Sequence, residues 1–548
     1  MKFLFNKSFR TAEEKVKLKK ERLLLIMGGI ITGMAFPPIP FNFLVFLGLV
    51  PYLMVITKRE RLIDINRGTY LFGFVFSFTT IYWVGAFTEA RDPFLMIAGG
   101  FLFFANPILF LIPSTLYYFT KKHINEKAAI WLFPFFWVVY EYVTMSTDLR
   151  FPWILLGNSL PDYNLYIQIA DITGVLGISL VVVYINIFLF KIFERYRSEK
   201  KISPFYSLLL GLFVLIPIIY SIAKINNLTF EEKKVKVGIV QPNLDPYEKW
   251  SGGSLEEITG NYLKMSREAV EEGARIIFFP ETALPVYLLN GAYGHIVDSL
   301  YNFVSNNNVY LLTGMPDFRF HGKKEDAPPN AKYSDIGEFY YTTHNAIYLF
   351  PPTRGQIQKY GKIKLVPFGE KTPFADQIPF LGSLIKWGVG LSGWNVGYDT
   401  SLFKLTIDND TIKIFGAVCY ESAFPDYVAD YSSKGVNMIA ILTNDSWYGK
   451  TSGPYQHMKM GILRAIENRK TVIRAANGGI SCIISPYGEV EKESELFEKA
   501  ILTGEVRLND YETFYTQNPR LIPGIALTIA VWIIGLVIIK RIKKKVKI

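Results

Sequence analysis

Residues 411–421 read TIKIFGAVCYE, a run crowded with Ile, Phe and Val that stops at Cys419 and gives way to a glutamate and small residues. β-Branched and aromatic side chains at this density call for a buried strand. The thiol therefore stands where strand turns into loop, and a side chain there can point into a pocket. A cysteine in that place is also ordinary core, because free Cys is among the most buried residue types. Two other stretches shift the balance. FFPETALP places Glu281 directly after an apolar run, and QKYGKIKLVPFGE places Lys362 within one.

Around this run, strand and helix patterns alternate from residue 235 onward. VKVGIVQPN reads as an opening strand, and SLEEITGNYLKMSREAVEEGA as an amphipathic helix with Leu255, Ile258, Tyr262, Met265 and Ala269 on one face. ARIIFFPE is the next strand, a helix near 292–305 leads to VYLLTGMPDF, and the polar 317–338 segment with its prolines reads as a surface insertion. NAIYLF and GQIQKYGKIKLV suggest a hairpin, 371–393 a long loop, and FKLTIDNDTIKIFGAVCY a hairpin turned by Asp408, Asn409 and Asp410. A helix near 424–434, the strand MIAILTND, a helix near 455–469, TVIRAAN and the pair SCIISPYGEV and ILTGEVRL complete a layered α/β domain. Its strand order is not readable from this pattern.

Upstream the chain is apolar. Runs at about 23–36, 41–57, 68–88, 94–119, 127–145, 165–190 and 204–222, with a last one at 521–539, suit a hydrocarbon core of roughly 30 Å. PPIP at 37–40 fits a tight turn between the first two. The basic leader precedes the first of several such runs, so that run is expected to be retained as a membrane helix rather than removed. The leader, the loop with Lys58, Arg59, Arg61 and Arg67, that with Lys121, Lys122 and Lys127, KIFERYRSEKK at 191–201 and the tail KKKVK at 543–547 fall on alternate connections. Positive residues collect on the cytoplasmic side. The expected layout is a cytoplasmic leader (1–22), seven membrane helices (23–222), an outer catalytic domain (223–520), an eighth helix (521–539) and a cytoplasmic tail (540–548). The loop FPWILLGNSLPDYN, with Phe151, Pro152 and Trp153, falls on the outer side as an interfacial anchor or a mouth for lipid.

Composition agrees with a membrane-bound chain: of 548 residues half are hydrophobic and 16% aromatic, and the net charge of +11 lies beside apolar runs. Anionic lipid headgroups, not nucleic acid, are the simpler partner for it. Two cysteines, Cys419 and Cys482, imply no disulfide framework, a single bridge between them staying formally open, and with five histidines they form no metal-ligand spacing.

Cys, Glu and Lys at strand ends make a reactive set. A thiol at neutral pH is mostly protonated and needs a base; Glu281 can take its proton, and the Lys362 ammonium can stabilise thiolate and oxyanion beside a backbone N–H such as that of Tyr420. Singly, a glutamate after a strand is ordinarily a turn residue, and Lys362 among its neighbouring lysines a solvated one. His457 in PYQHMKM is expected to be a packed or hydrogen-bonded residue.

Taken together, the three stretches resemble the bacterial apolipoprotein N-acyltransferases, whose outer domain is similar to nitrilases and other carbon–nitrogen hydrolases. Glu281 in FPETALP, Lys362 in YGKIKLVPFGE and Cys419 in VCYES match the nitrilase order and context; LVPFGE (365–370), TNDSWYG (443–449), FPP (36–38), FPWILLGNS (151–159) and DITGVLGIS (171–179) match the acyltransferase branch. RAANGG (474–479) and Ser481-Cys482 are small departures. The resemblance implies a multi-span α-helical membrane domain plus a nitrilase-like αββα sandwich. It implies Glu281 as general base, Lys362 as oxyanion stabiliser and Cys419 as nucleophile, with Glu370 supporting the lysine or base. Tyr420 and Glu421 are expected to be sensitive neighbours of the nucleophile, and Trp250 and Trp447 to lie near the substrate channel. The implied partners are a phospholipid acyl donor and a diacylglyceryl-modified apolipoprotein acceptor, acted on by a monomer of the bacterial inner membrane, with no cofactor and no metal. An amidase resolved by water, and a transporter carrying an inactive domain, are the rival readings.

Overall fold

The computed structural model describes residues 11–86, 93–230, 233–250, 254–335, 337–374, 393–397 and 401–546. The Ile- and Phe-rich run becomes β8 (Asp410–Val418), hairpinned to β7 (Phe403–Ile407). Asp408 and Asn409 turn the hairpin at φ of 51° and 66°, the left-handed pair that matches strand twist and that Asp and Asn adopt more readily than most residues. β8 runs parallel to β9 (Met438–Asn444), and β9 to β10 (Thr471–Asn477). Every residue of β9 and β10 is buried, as parallel strands covered on both faces require. β11 (Cys482–Ile484) and β12 (Val490–Glu493) extend this sheet in the order β12-β11-β10-β9-β8-β7.

The second sheet contains β1 (Lys234–Gln241), β2 (Ile276–Phe278), β3 (Tyr310–His321), β4 (Lys332–Ser334), β5 (Phe339–Phe350), β6 (Gln358–Gly361) and β13 (Ala500–Arg507). Its order is β13-β1-β2-β3-β5-β4, with β6 also paired to β5. The sheets face each other closely: a Cβ at Gly416 in β8 would meet Ile347 of β5 at 3.0 Å. Helices Leu255–Glu271 and Gly294–Asn307 pack on one sheet, and Pro425–Ser432 and Ser452–Asn468 on the other. β2, β8 and β9 end close to Glu281, Cys419 and Asp445, the carboxyl ends at which α/β sheets place their ligands.

Two expectations change. Residues 317–338 are not merely an insertion, because β3 continues to His321 and pairs with β5 from Leu311 to that end. Cross-strand rings hold this arm, Phe318 stacking on Tyr341 at 5.0 Å. SCIISPYGEV is two strands, broken where Gly488 donates to the Ser485 carbonyl. Of the expected loop 371–393, residues 375–392 lie outside the described residues.

Among the described residues, five segments are long and apolar enough to cross a membrane: Leu95–His123, Glu126–Ser146, Ala170–Glu199, Pro204–Asn227 and Leu521–Lys543. The chain is a multi-pass membrane protein. Ala12–Gly33, Val45–Ile56 and Leu62–Ile81 pack into the same bundle. The first starts inside the basic leader, where Thr11 and Glu14 form a reciprocal cap. Ala170–Glu199 is bent at Gly174, whose φ of 62° and whose contact with the Tyr515 ring, 2.2 Å from where a Cβ would stand, both demand glycine.

Helix Ser452–Asn468 and the residue after it seat the catalytic layers on this bundle. Gln456 accepts from Trp83 Nε1 (3.1 Å) and donates to the carbonyls of Pro37 and Thr80. Arg469, fully buried, donates to Asp171 at 2.9 Å and to Gln168. A buried pair of this kind costs about 3–5 kcal/mol when one partner is removed.

Candidate active site

Cys419 takes φ of 49° as it leaves β8 and opens a 3-10 turn, Cys419–Ala423. Holding a side chain with a Cβ in the left-handed region costs on the order of 1–3 kcal/mol and projects the thiol out of the strand line. Glu421 restrains the turn. Its buried carboxylate accepts from the amides of Val418 (2.8 Å), Ile363 (2.7 Å) and Lys364 (3.1 Å) and from the Tyr360 hydroxyl (2.8 Å). Burial raises its pKa against those hydrogen bonds. The nucleophile's turn and the segment carrying Lys362 are thereby tied through one side chain.

Lys362, 1% exposed, donates to Glu370 Oε1 at 2.8 Å and to Glu281 Oε1 at 3.2 Å. Glu281 follows β2 and also accepts from the amide of Asn444 (3.0 Å). Glu370 is held by the Val366 amide at 2.9 Å. Between the carboxylates lies Asn345, at 2.7 Å from Glu281 and 3.1 Å from Glu370, with its own buried Oδ1 unpartnered. Asn345 was not singled out from the sequence; it sits on β5, and only register brings it to Lys362. Behind Glu281, the buried Lys249 ammonium donates to Thr282 O (2.9 Å) and Oγ1 (3.2 Å), where the chain takes φ of 46°.

Asp445, His457 and Arg474 close the other side. His457 Nδ1 meets Asp445 at 2.9 Å, its Nε2 lies 3.0 Å from Ser422 Oγ and 3.2 Å from the Cys419 carbonyl, and Arg474 donates to Asp445 at 2.5 Å. Cys419, Asp445 and His457 offer atoms within 4.8 Å of one another, a clustering their sequence spacing did not disclose. Asp445 already accepts from His457, Arg474 and the Thr443 hydroxyl, so the cluster suits a hydrogen-bonded brace for the nucleophile turn and not an ion.

Cys419, Lys362, Glu281, Glu370, Asp445 and His457 line a cavity of about 460 Å³ together with helix Pro93–Leu109, whose Leu95, Gly99, Leu102 and Leu109 turn inward. Tyr420 donates its hydroxyl to the Arg150 carbonyl and stacks on Trp153 at 6.2 Å, so the loop after helix Glu126–Ser146 touches the residue next to the thiol. Trp447 lines the cavity and packs edge-on to Tyr247, whereas Trp250 is not among the lining residues.

Residues 236–515 match the family model described as carbon-nitrogen hydrolase, and residues 28–188 that described as apolipoprotein N-acyltransferase N-terminal domain. The apolipoprotein N-acyltransferase of Chlorobaculum tepidum is 30% identical over 535 residues, covering 96% of this chain and 98% of that protein. The chain belongs to the apolipoprotein N-acyltransferase family. Family relatives from Geobacter metallireducens (28% identical; 91% of this chain, 92% of theirs) and Rickettsia prowazekii (29%; 88% and 92%) align almost as fully.

In this acyltransferase the surroundings of Cys419 favour the thiol over the thiolate. Burial and the Glu281 charge push the Cys419 pKa up, and Lys362 opposes them only in part. Burial works against the Lys362 charge too, but Glu281 and Glu370 outweigh it and hold the ammonium well above the ordinary lysine value. A protonated thiol beside a fixed ammonium and a carboxylate is equipped for base-assisted attack and for stabilising the charge that follows. Acyl transfer through the cysteine is the chemistry this arrangement supports.

Proposed function

We propose that the chain moves an acyl chain from a membrane phospholipid to the α-amine of the S-diacylglyceryl cysteine at the N-terminus of an apolipoprotein, through a thioester on Cys419. The observation that carries this reading is the cavity: its polar end is the Cys-Lys-Glu set and its apolar wall is a membrane helix, so an acyl ester can reach sulfur without leaving an apolar environment. Both substrates are lipid-anchored, and confinement to one bilayer supplies encounter and orientation. The same reading has eight spans, residues 1–22 and 540–548 in the cytoplasm, and residues 223–520 on the periplasmic side of a bacterial inner membrane.

In the first half-reaction sulfur attacks the ester carbonyl while Glu281 takes the thiol proton. Lys362 and the amide following Cys419 stabilise the oxyanion, the C–O bond breaks, and the proton passes to the glyceryl oxygen as lysophospholipid leaves. In the second, the amine attacks the thioester, Glu281 accepts a proton from nitrogen, the C–S bond breaks and sulfur regains a proton. No cofactor enters this balance.

Intact-mass spectrometry of the detergent-purified protein tests it. Phospholipid should add one acyl mass to wild type and none to Cys419→Ala, and a diacylglyceryl-cysteine peptide should remove it as an amide. Discharge to water alone would replace transfer by hydrolysis; a folded protein that never forms the adduct would end the covalent account.

A further inference from the structure

Arg150 lines the acyl cavity beside Tyr420 with an unmet hydrogen-bonding demand. Its backbone is pinned on both sides, the amide donating to Thr147 O at 3.0 Å and the carbonyl accepting from Tyr420. Its side chain lines the cavity, yet Nε is buried without a hydrogen-bond partner, and among the described residues no acceptor or carboxylate takes the guanidinium. Asp148, the acid nearest in sequence, accepts from the Phe374 amide. A buried N–H left unpaired costs about 1–3 kcal/mol, and an acceptor on a bound ligand would remove that cost.

A second cation lies close by. The Lys364 ammonium rests over the rings of Phe424 and Tyr427 at 5.4 and 5.3 Å and makes no hydrogen bond to an acceptor among the described residues. Burial and then the Arg150 charge lower its pKa, which places the two charges within electrostatic reach. Asp426, the neighbouring acid, is engaged by Arg520 at 3.3 Å. Arg150, which lines the cavity, and Lys364 thus set two cations in electrostatic reach of each other, although Asp426 and Glu421 also act on Lys364. Arg150 also follows helix Glu126–Ser146 by four residues and precedes Phe151 and Trp153, the depth at which a span gives way to headgroups and aromatic side chains collect.

We propose that Arg150, with Lys364 behind it, binds the phosphate of the lipid acyl donor and so sets which ester reaches Cys419. This rests on the acyl-transfer reading. The phosphate of a glycerophospholipid is a few bonds from its acyl esters, so an ester held at the thiol keeps the phosphodiester close to the part of the cavity that Arg150 lines. A planar guanidinium matches its paired oxygens. The diacylglyceryl-cysteine acceptor has no phosphate, so the site serves the first half-reaction alone.

The test compares two donors on full-length protein in detergent, dioleoylphosphatidylethanolamine and dioleoylglycerol, which share their esters and differ in the phosphate. Arg150→Gln should raise KM for the phospholipid about 10- to 100-fold with kcat held. It should leave acylation by dioleoylglycerol and discharge to the peptide amine unchanged, and Arg150→Lys should recover much of the phospholipid KM. Equal loss on both donors, or an unchanged phospholipid KM, overturns the assignment. If wild type forms an adduct with neither donor, the acyl-transfer reading itself is at fault. Inorganic phosphate separates the possible sources: inhibition of wild type that vanishes in Arg150→Gln marks a site open to any phosphate, and absence of inhibition marks one confined to lipid-borne phosphate.

Discussion

At the residue scale, the nucleophile and its base are separable. Cys419→Ala should abolish the acyl adduct, Glu281→Gln should prevent its formation with the thiol intact, and Cys482→Ala, on β11 and free of the site, should leave transfer largely unchanged; intact mass reads all three. Asn345→Ala unlinks Glu281 from Glu370, and kcat should fall about 10- to 100-fold with little change in KM, the size expected for a hydrogen bond to charged groups. Lys249 gives a pH signature. Burial lowers its pKa to about 8, opposed by the Glu281 charge. Between that value and the ordinary lysine value the unfolded chain holds a proton that the folded chain has released, so stability rises with pH across the window. Lys249→Met should flatten the rise in thermal midpoint from pH 8 to 10.5. Cys419, Glu281 and Lys362 were readable because each interrupts an apolar run at a strand end. Asn345 and Arg474 were not: each is one polar residue within a strand, and its importance comes from a partner far along the chain.

At the element scale, the wall of the cavity depends on an approach of backbone to backbone. A Cβ on Gly99 would stand 2.3 Å from the Gly85 Cα and 2.6 Å from its nitrogen, contacts that no rotamer relieves. Gly99→Val should push helix Pro93–Leu109 off the 3-10 turn Tyr82–Gly85, costing about 1–3 kcal/mol and slowing acylation, measured by adduct formation alongside the thermal midpoint. Arg469→Met should cost about 3–5 kcal/mol by leaving Asp171 without its buried guanidinium partner. Most of the strands and helices were visible as alternation and periodicity, including the Asp408–Asn409 turn. The arm 317–338 was not, because its stability comes from aromatic pairs across strands and not from an apolar run of its own. The axial break at Gly174 was likewise hidden inside an unbroken hydrophobic stretch.

At the scale of the whole molecule, the two halves act as one device. The layout proposed above predicts that, in a chain lacking both native cysteines, Lys324→Cys reacts with a membrane-impermeant maleimide in cells whose outer membrane has been opened. Lys200→Cys should react only after the inner membrane is breached, and reversal of that pattern would invert the orientation. The cavity adds a dependence that a soluble hydrolase would not have. Helix Pro93–Leu109 is a single helix thick: Leu95 and Leu102 face inward while Ile97 and Phe104 are 68% and 61% exposed on its outer side. In the proposed layout, lipid tails press on one surface of the partition that shapes the cavity on the other. That layout makes bilayer thickness and fluidity kinetic variables of this enzyme, and a cell that remodels its fatty acids as it cools would retune the catalyst with the same adjustment.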